Sequence, residues 1–214
     1  MWWLIVPVAL GIGKAIHSAV TRETHVVSFP PKSILVQNLY RLRASTLHSH
    51  PRRVALLGQP GAGKSTILKK LSKGKARPAP VIGTQTDATN WSDSNDATLF
   101  SEWDGHLVSD VPGYDTASHP VAVFIENFPF ANFAQILLIV NGKVRGADVE
   151  MYHRIVASAT PVLVVRSHAD ALTESERRAV RADLHKQFPK LARKSLVFVS
   201  SRSGEGIEGL RAIL

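Results

Sequence analysis

The chain has 214 residues and a net charge of +9, and 44% of its residues are hydrophobic. This length fits one compact domain with an appendage, and the hydrophobic content is enough for an ordinary core. The chain contains no cysteine, which excludes a disulfide framework and metal sites with thiolate ligands. Residues 1–53 carry +6 of the charge. This asymmetry indicates an anionic partner for the N-terminal part, either lipid headgroups or nucleic acid.

Residues 1–22 are predicted to form a hydrophobic N-terminal helix. The segment begins with two tryptophans and has no charged side chain before Lys14. We favour a membrane anchor, because a tryptophan pair suits the membrane interface. A packed terminal segment stays open, since a spanning helix needs roughly 20 apolar residues. A signal peptide is the least favoured alternative, because no basic start or small-residue cleavage site is present. An anchor would tether the chain to the cytoplasmic face of a membrane, since a basic flank follows it.

Residues 23–51 are predicted to be a basic linker with one helix. Pro30 and Pro31 open this helix, which is predicted over 31–46. Three leucines recur in it at helical spacing: Leu35, Leu39 and Leu42. Its basic outer face is interpreted in two ways, as lying against a membrane or as solvated.

Residues 52–214 alternate between strand and helix patterns. Apolar runs predict buried strands of a parallel sheet at 54–57, 136–140, 162–165 and 196–199. Helices are predicted at 65–71, 148–157, 173–188 and 207–214. Asp104 and Gly105 join residues 99–103 and 106–110 in a hairpin, which adds an antiparallel edge pair. The pattern predicts a three-layer α/β domain with a mostly parallel sheet.

Residues 58–65, GQPGAGKS, match the phosphate-binding loop G-x-x-x-x-G-K-[ST]. Backbone N–H groups of such a loop surround the β-phosphate, its lysine serves the β- and γ-phosphates, and the next hydroxyl ligates Mg²⁺. The predicted nucleotide ligands are Gly58, Gln59, Pro60, Gly61, Ala62, Gly63, Lys64, Ser65 and Thr66. A strand before the loop and a helix after it support the assignment. Lys64 is also predicted to be catalytic, and Ser65 to be a metal ligand.

Residues 110–113, DVPG, form a D-x-x-G motif at the end of a predicted strand. We expect Asp110 to hold the Mg²⁺ shell and the Gly113 N–H to meet the γ-phosphate during catalysis. Residues 73–95 are rich in turn-forming residues, as a mobile switch would be. Candidates for the hydroxyl that closes on Mg²⁺ are Thr84, Thr86 and Thr89. We favour Thr86, because residues 83–87 resemble a G-T-x-R-D switch.

Residues 166–170, RSHAD, resemble the guanine-reading [NT]-K-x-D motif of GTPases. Ser167 stands at the Asn or Thr position, His168 at the Lys position and Asp170 at the Asp position. The resemblance implies that Asp170 accepts hydrogen bonds from guanine N1–H and the 2-amino group, a donor pair that adenine lacks. Residues 199–202, VSSR, resemble the S-A-K loop of these proteins. That likeness implies base contacts from Ser200, Ser201 and Arg202.

The stretch over 110–170 is similar to the immunity-related GTPases and their bacterial, translation-factor-like relatives. The resemblance extends over residues 52–214 and implies a small G domain that binds GTP or GDP with Mg²⁺. It implies slow GTP hydrolysis by a membrane-associated switch or assembly protein. His168 and Ser167 depart from the usual motif, since imidazole lacks the aliphatic stem of lysine and serine is shorter than asparagine. An ATP-using P-loop protein therefore stays an alternative.

Tyr114 follows D-x-x-G, where GTPases with an intrinsic water-orienting side chain carry glutamine. Hydrolysis is therefore expected to depend on Mg²⁺, Lys64 and a group donated in trans by a homodimer or a protein effector. A packed loop aromatic is the equal alternative for Tyr114. A nucleotide-gated binding module with little hydrolysis is the non-enzymatic alternative. A ribosome or nucleic-acid partner is disfavoured, because no RNA-binding module or aromatic-interleaved basic run is evident.

Overall fold

The computed structural model of this protein describes residues 33–83 and 89–214. The predicted helix and membrane anchor at 1–22, and the switch candidates Thr84 and Thr86, lie outside the described residues. The compact unit that contains the sheet runs from Lys32 to Leu214. Its helices and strands, in chain order, are α1 (Ile34–Ser45), β1 (Arg53–Gly58), α2 (Lys64–Leu71), β2 (Ser101–Trp103), β3 (His106–Asp110), α3 (Val121–Asn127), β4 (Gln135–Val140), α4 (Gly146–Ala157), β5 (Val162–Arg166), α5 (Glu174–Gln187), β6 (Leu196–Phe198) and α6 (Ile207–Ile213).

The six strands form one sheet in the order β2-β3-β1-β4-β5-β6. Strands β3, β1, β4, β5 and β6 are parallel neighbours, and β2 pairs with β3 in the antiparallel sense. This confirms the predicted parallel sheet with one antiparallel pair. The chain order reverses at β1, which lies between β3 and β4. Loops that leave the carboxyl ends of β1, β3 and β4 therefore converge at a crevice, where α/β proteins bind their ligands.

Apolar side chains fill both faces of this sheet and produce three layers. Along β1, Ala55 and Leu57 face one core, whereas Val54 and Leu56 face the other. The first core is covered by α1, α3, α4 and α5, and the second by α2 and α6. Strands that are buried on both faces explain the continuous apolar runs of the sequence.

Helix α1 packs in the first core. Its three predicted apolar positions, Leu35, Leu39 and Leu42, are all buried. The buried Asn38 side chain donates from Nδ2 to the carbonyl oxygens of Trp91 (2.8 Å) and Ser94 (2.7 Å). The Asn38 amide therefore holds the segment at 91–94 to this helix.

Differences from the predicted elements lie at the ends of elements, in one short α-helix and in three 3-10 helices: Phe130–Asn132, Ala169–Ala171 and Arg193–Ser195. Strand β2 begins at Ser101, because only Ser101–Trp103 pairs with β3. Helix α4 begins at Gly146, where Asp148 accepts from the Arg145 backbone N–H at 2.9 Å. Helix α3 has only seven residues and was not predicted. In the described part of the chain, no helix has both the length and the apolar character that crossing a membrane requires.

Candidate functional site

The phosphate loop leaves β1 at the carboxyl edge of the sheet and leads into α2. Gly63 has a φ of +95°, a left-handed conformation that glycine adopts without strain. A Cβ at Gly58 would collide with the backbone carbonyl oxygen of Ile139 on β4. Gly63 is therefore required by its backbone conformation, and Gly58 by the lack of space for a side chain. The N-terminus of α2 points its free N–H groups into the crevice, which favours an anion there.

Lys64 is the first residue of α2, and its side chain is buried. Its ammonium group donates to the carbonyl oxygens of Gly58 (3.0 Å) and Gln59 (3.1 Å). The side chain thus curls back over its own loop. This places a positive charge where the sequence predicts the β- and γ-phosphates.

Asp110 ends β3 beside the phosphate loop. Burial raises the pKa of its carboxyl group, whereas the Ser65 hydroxyl and the Lys64 charge act to lower it. Thr89 Oγ1 lies 3.4 Å from Asp110 Oδ2. Asp110 Oδ1 is buried and has no hydrogen-bond partner among residues 33–83 and 89–214. A spare carboxylate oxygen beside a serine hydroxyl fits Mg²⁺, which binds through one or two carboxylates, waters and substrate phosphates.

A Mg²⁺ site of this kind, in which phosphates and waters supply most ligands, does not need a cluster of acidic residues and histidines. Within the described ranges no group of three or more such side chains could hold a metal ion. Of the three switch threonines, Thr89 is the one in the described part of the chain, and it lies next to Asp110. The choice of Thr86 stays a prediction.

The D-x-x-G segment lies directly against the phosphate loop. A Cβ at Gly113 would lie 2.5 Å from the backbone nitrogen of Pro60, so only glycine fits this approach. Tyr114 is fully buried, and its hydroxyl donates to Asp148 Oδ1 at 2.7 Å. Burial and the adjacent carboxylate raise the pKa of Tyr114 well above its usual value. Tyr114 is therefore a packed aromatic that holds its segment to α4.

Arg145 reaches the phosphate loop from the start of α4. Its Nη1 donates to Gln59 Oε1 at 2.7 Å, although the two residues are 86 positions apart in the sequence. Its backbone N–H donates to Asp148 Oδ2 at 2.9 Å. No motif indicated Arg145 or Asp148, because their roles depend on contacts that only the folded chain creates.

The predicted base-reading residues come together at the ends of β5 and β6. The backbone N–H of Ala169 donates to the carbonyl of Val199 at 3.0 Å and joins the two loops. A hydrogen bond from the Ser200 hydroxyl holds the pKa of Asp170 below its usual range. The same Ser200 oxygen accepts from the backbone N–H groups of Arg202 (3.2 Å) and Ser203 (3.0 Å). Ser201 lies between these residues on the same loop.

His168 connects the base-reading loop with the phosphate loop. Its Cε1 lies 3.9 Å from the point that a Cβ on Gly63 would occupy. Its Nδ1 lies 3.1 Å from the Ser167 hydroxyl, which is itself 3.3 Å from the carbonyl of Val140. The imidazole thus lies close to Gly63 of the phosphate loop.

A buried arginine and an ion pair support this region, and neither was predicted. Arg177 on α5 donates to the carbonyl of Ala169 at 2.9 Å and pairs with Glu205. Arg166 at the end of β5 donates to Asn141 Oδ1 at 3.2 Å, and burial lowers its pKa. Arg177 therefore joins the two base-reading loops, and Arg166 joins the end of β5 to the segment that follows β4.

The sequence model of the family described as 50S ribosome-binding GTPase matches residues 53–168, more than half of the chain. This chain belongs to that family. It is therefore a P-loop GTPase that binds GTP and GDP. The probable GTP-binding protein EngB of Roseobacter denitrificans is 27% identical over 175 residues, which cover 75% of this chain and 77% of EngB.

Two further relatives are longer than this chain. GTPase Der of Cereibacter sphaeroides is 26% identical over 183 residues, which cover 77% of this chain and 35% of Der. The crystal structure of Era in complex with MgGDPNP and nucleotides 1506–1542 of 16S ribosomal RNA superposes with a TM-score of 0.54 at 20% identity. It covers 78% of this chain and 56% of Era. This likeness shows the small G domain fold.

Proposed function

We propose that this GTPase is a ribosome-assembly factor whose nucleotide state controls its docking on ribosomal RNA. The family to which it belongs is described as 50S ribosome-binding, and Era was crystallised with a fragment of 16S ribosomal RNA. The RNA partner that the sequence disfavoured is thus the one we now favour. The immunity-related type is not carried further, because the matching family and the relatives EngB and Der lend it no support.

The observation that carries this proposal is a basic segment at residues 69–77. It contains five exposed cations and no acid: Lys69, Lys70, Lys73, Lys75 and Arg77. This segment was not predicted to bind RNA, because no aromatic residue lies between its cations. Structured RNA is bound largely through its phosphates and shape, for which cations alone are sufficient.

The basic segment borders an open groove of about 640 Å³ at the β2 edge of the sheet. Arg77 is fixed to β2 by backbone hydrogen bonds with Glu102 of 2.9 and 2.7 Å. Acidic side chains are present, since Glu208 pairs with Lys73 at 3.6 Å and with Arg211 at 2.6 Å. Cations still outnumber acids along the groove. The segment also leads directly into the predicted switch at 83–87, which would couple docking to the nucleotide.

At the nucleotide site, Lys64 and the Gly113 N–H would stabilise charge on the γ-phosphate, and Asp170 would read guanine. Mg²⁺ would be held by Ser65 and Asp110, with Thr86 as the predicted third ligand. When bound, it would neutralise charge that develops on the phosphate oxygens. Because Tyr114 is packed against Asp148, no side chain at that position orients water. Hydrolysis is accordingly slow and is completed by a group from an effector or a second copy.

Cosedimentation with purified bacterial 50S subunits tests the ribosome proposal. We expect binding of the protein loaded with GppNHp and weaker binding with GDP. The variant K73Q/K75Q/R77Q should bind more weakly, and the slope of log K against log salt should become shallower by about one for each lost phosphate contact.

The matched control is K186Q/K190Q/K194Q, which removes three exposed cations beside β6, at the opposite edge of the sheet. Its binding and salt slope should stay near the wild-type values. Equal losses in both variants would contradict a role for the basic segment. Failure of the wild-type protein to bind in either nucleotide state would contradict the ribosome proposal itself.

A membrane tether through residues 1–22 stays a second proposal, carried by the tryptophan-led apolar start and its basic flank. The full chain should pellet with membranes even in molar salt, where the Debye length is roughly 3 Å. A truncated chain that begins at Ser33 should stay in the supernatant. The truncation must keep α1, because its leucines are part of the core. Recovery of the full chain in the supernatant would refute the tether.

A further inference from the structure

Four polar side chains connect the D-x-x-G segment to the phosphate loop. The Tyr114 hydroxyl donates to one oxygen of Asp148, at 2.7 Å, and the Arg145 backbone N–H donates to the other, at 2.9 Å. The Arg145 guanidinium then donates to Gln59 Oε1 at 2.7 Å. We call this chain of Tyr114, Asp148, Arg145 and Gln59 the polar relay. It joins three segments that are distant in the sequence.

Most of the polar relay is buried, so its hydrogen bonds are strong and costly to break. Tyr114, Asp148 and Gln59 are 0%, 4% and 9% exposed. In such surroundings a lost partner leaves a desolvated polar group, which costs more than the net stability of one exposed hydrogen bond. Because guanidinium can only donate, Arg145 also fixes which end of the Gln59 amide faces it.

Gln59 contributes an unsatisfied donor at the same place. Its Nε2 is buried and has no hydrogen-bond partner in the part of the chain that the structure describes. It borders a polar cavity of about 100 Å³, which is also lined by Asn141, Lys143 and Arg145. A cavity of this size has room for bound water, which can accept from the Nε2 donor.

Both ends of the polar relay lie next to groups that are assigned to the γ-phosphate. Tyr114 directly follows Gly113, which already contacts Pro60. The carbonyl oxygen of Gln59 accepts from the Lys64 ammonium group at 3.1 Å. A γ-phosphate that took the Lys64 ammonium group from that carbonyl and met the Gly113 N–H would act next to both ends of the polar relay.

We propose that the polar relay makes Tyr114, Asp148, Arg145 and Gln59 positioning residues that set the preference for GTP over GDP. Tyr114, at the position where other GTPases carry a water-orienting glutamine, anchors Gly113 for the γ-phosphate. Arg145 and Gln59 hold the opposing loop at the matching distance. The proposal rests on the assigned roles of Lys64 and Gly113 and is independent of the ribosome.

Fluorescence titration of the full chain with GDP and with GppNHp tests the polar relay. In Y114F and in R145A, the affinity for GppNHp should fall about tenfold while the affinity for GDP changes less than about twofold, as expected from losing one hydrogen bond that matters in one state. The hydrogen bond that is lost is buried in Y114F and partly buried in R145A. The double variant Y114F/R145A should lose no more than about tenfold, because the two substitutions break the same chain of hydrogen bonds and their effects should not add.

The matched control is Y152F. Tyr152 lies on α4 and, like Tyr114, is a buried tyrosine. Its hydroxyl donates to the carbonyl of Pro189 at 2.9 Å, away from the phosphate loop. Its removal should leave the ratio of the two affinities unchanged. A change in Y152F as large as that in Y114F would assign the effect to the packing of α4 and overturn the proposal.

Three other outcomes also overturn the polar relay: equal losses for GDP and GppNHp, additive losses of about a hundredfold in the double variant, or an unchanged ratio in R145A. The last remains decisive if Y114F fails to fold, because the Arg145 side chain is exposed. The variant K64A distinguishes failure of the phosphate-loop assignment from failure of the polar relay. Normal nucleotide affinity in K64A would refute the phosphate-loop assignment, whereas loss in K64A with an unchanged R145A refutes the relay alone.

Discussion

The two halves of the nucleotide site are held in place by different means. In the phosphate half, residues 58–65 and 110–113, close backbone approach fixes the motif glycines, since a Cβ at Gly58 or Gly113 would enter the space of Ile139 or Pro60. In the base half, residues 166–170 and 199–206, such an approach occurs outside the two motifs, at Gly206, where a Cβ would meet the Phe198 carbonyl oxygen. Side chains from separate segments hold the motif residues of this half. Ser200 supports Asp170, and Arg177 bridges Ala169 and Glu205.

This difference explains why one half keeps its motif and the other departs from it. A backbone cradle admits few side chains, so the phosphate half reads as a complete P-loop. A base site that is built from side-chain contacts can change one residue and compensate with another. Ser167 and His168 replace the usual Asn or Thr and Lys of the guanine motif. The imidazole lies close to Gly63, and its Nδ1 lies within hydrogen-bond distance of the Ser167 hydroxyl. Perturbing the phosphate half should therefore have larger effects than perturbing the base half.

The largest effect is expected for Lys64→Ala. The substitution removes the buried charge at the β- and γ-phosphates, and we expect affinity for GTP and GDP to fall at least about tenfold, with hydrolysis lost as well. Isothermal titration calorimetry gives the affinities. Circular dichroism is the control for folding, because Lys64 also donates to two loop carbonyls. A folded variant with wild-type affinity would show that the phosphate half does not depend on Lys64, and the expected order of effects in the two halves would be wrong.

A smaller and more selective effect is expected for Asp170→Asn. The amide presents a donor where the carboxylate accepts, so guanine affinity should fall about tenfold, or about 1.4 kcal/mol, and xanthine nucleotides should be preferred. Phosphate contacts stay intact, so the variant should still bind triphosphates. Competition between GTP, XTP and ATP measures this. If wild-type protein binds ATP as well as GTP, Asp170 does not read the base.

The pH dependence of guanine binding follows from the same carboxyl group. The Ser200 hydroxyl holds the pKa of Asp170 below its usual 3.8. A lowered pKa keeps the carboxylate ionised at every pH above that value, and guanine affinity is lost only as pH falls through the folded-state pKa. GTP affinity should therefore show no titration step from Asp170 between neutral pH and about pH 5.

The predicted fold depended on local patterns, and these were sufficient for the sheet, the phosphate loop and the longer helices. Continuous apolar runs mark strands buried on both faces, and α5 begins within one residue of its predicted start at 173, after a capping box of Thr173 and Glu176. Helix α3 was not predicted, because its seven residues are too few to show the 3.6-residue spacing of apolar side chains.

The site was predictable where the chemistry lies within one motif. The contact between Arg145 and Gln59 joins residues 86 positions apart, and no local pattern signals it. The packing of Tyr114 was likewise open, because its sequence neighbours do not show that Asp148 is its partner. Long-range polar contacts of this kind depend on the fold, and the sequence supplied only the residue types.

The smallest effect is expected for His168→Lys, which restores the usual residue of the guanine motif. A lysine stem can lie over the base, and its ammonium group can act as a cation near the ring, an interaction of about 0.5–1 kcal/mol at exposed sites. His168 already has a φ of +54°, so replacing it with lysine, which also carries a Cβ, adds little backbone strain. We therefore expect guanine affinity to rise about twofold to fivefold, with no change in the ratio of GTP to GDP. Titration with both nucleotides measures this, and His168→Ala is the control that removes the ring without a replacement. If lysine lowers affinity below that of alanine, the imidazole contacts the base in a way that lysine cannot reproduce, and the base half would be as exacting as the phosphate half.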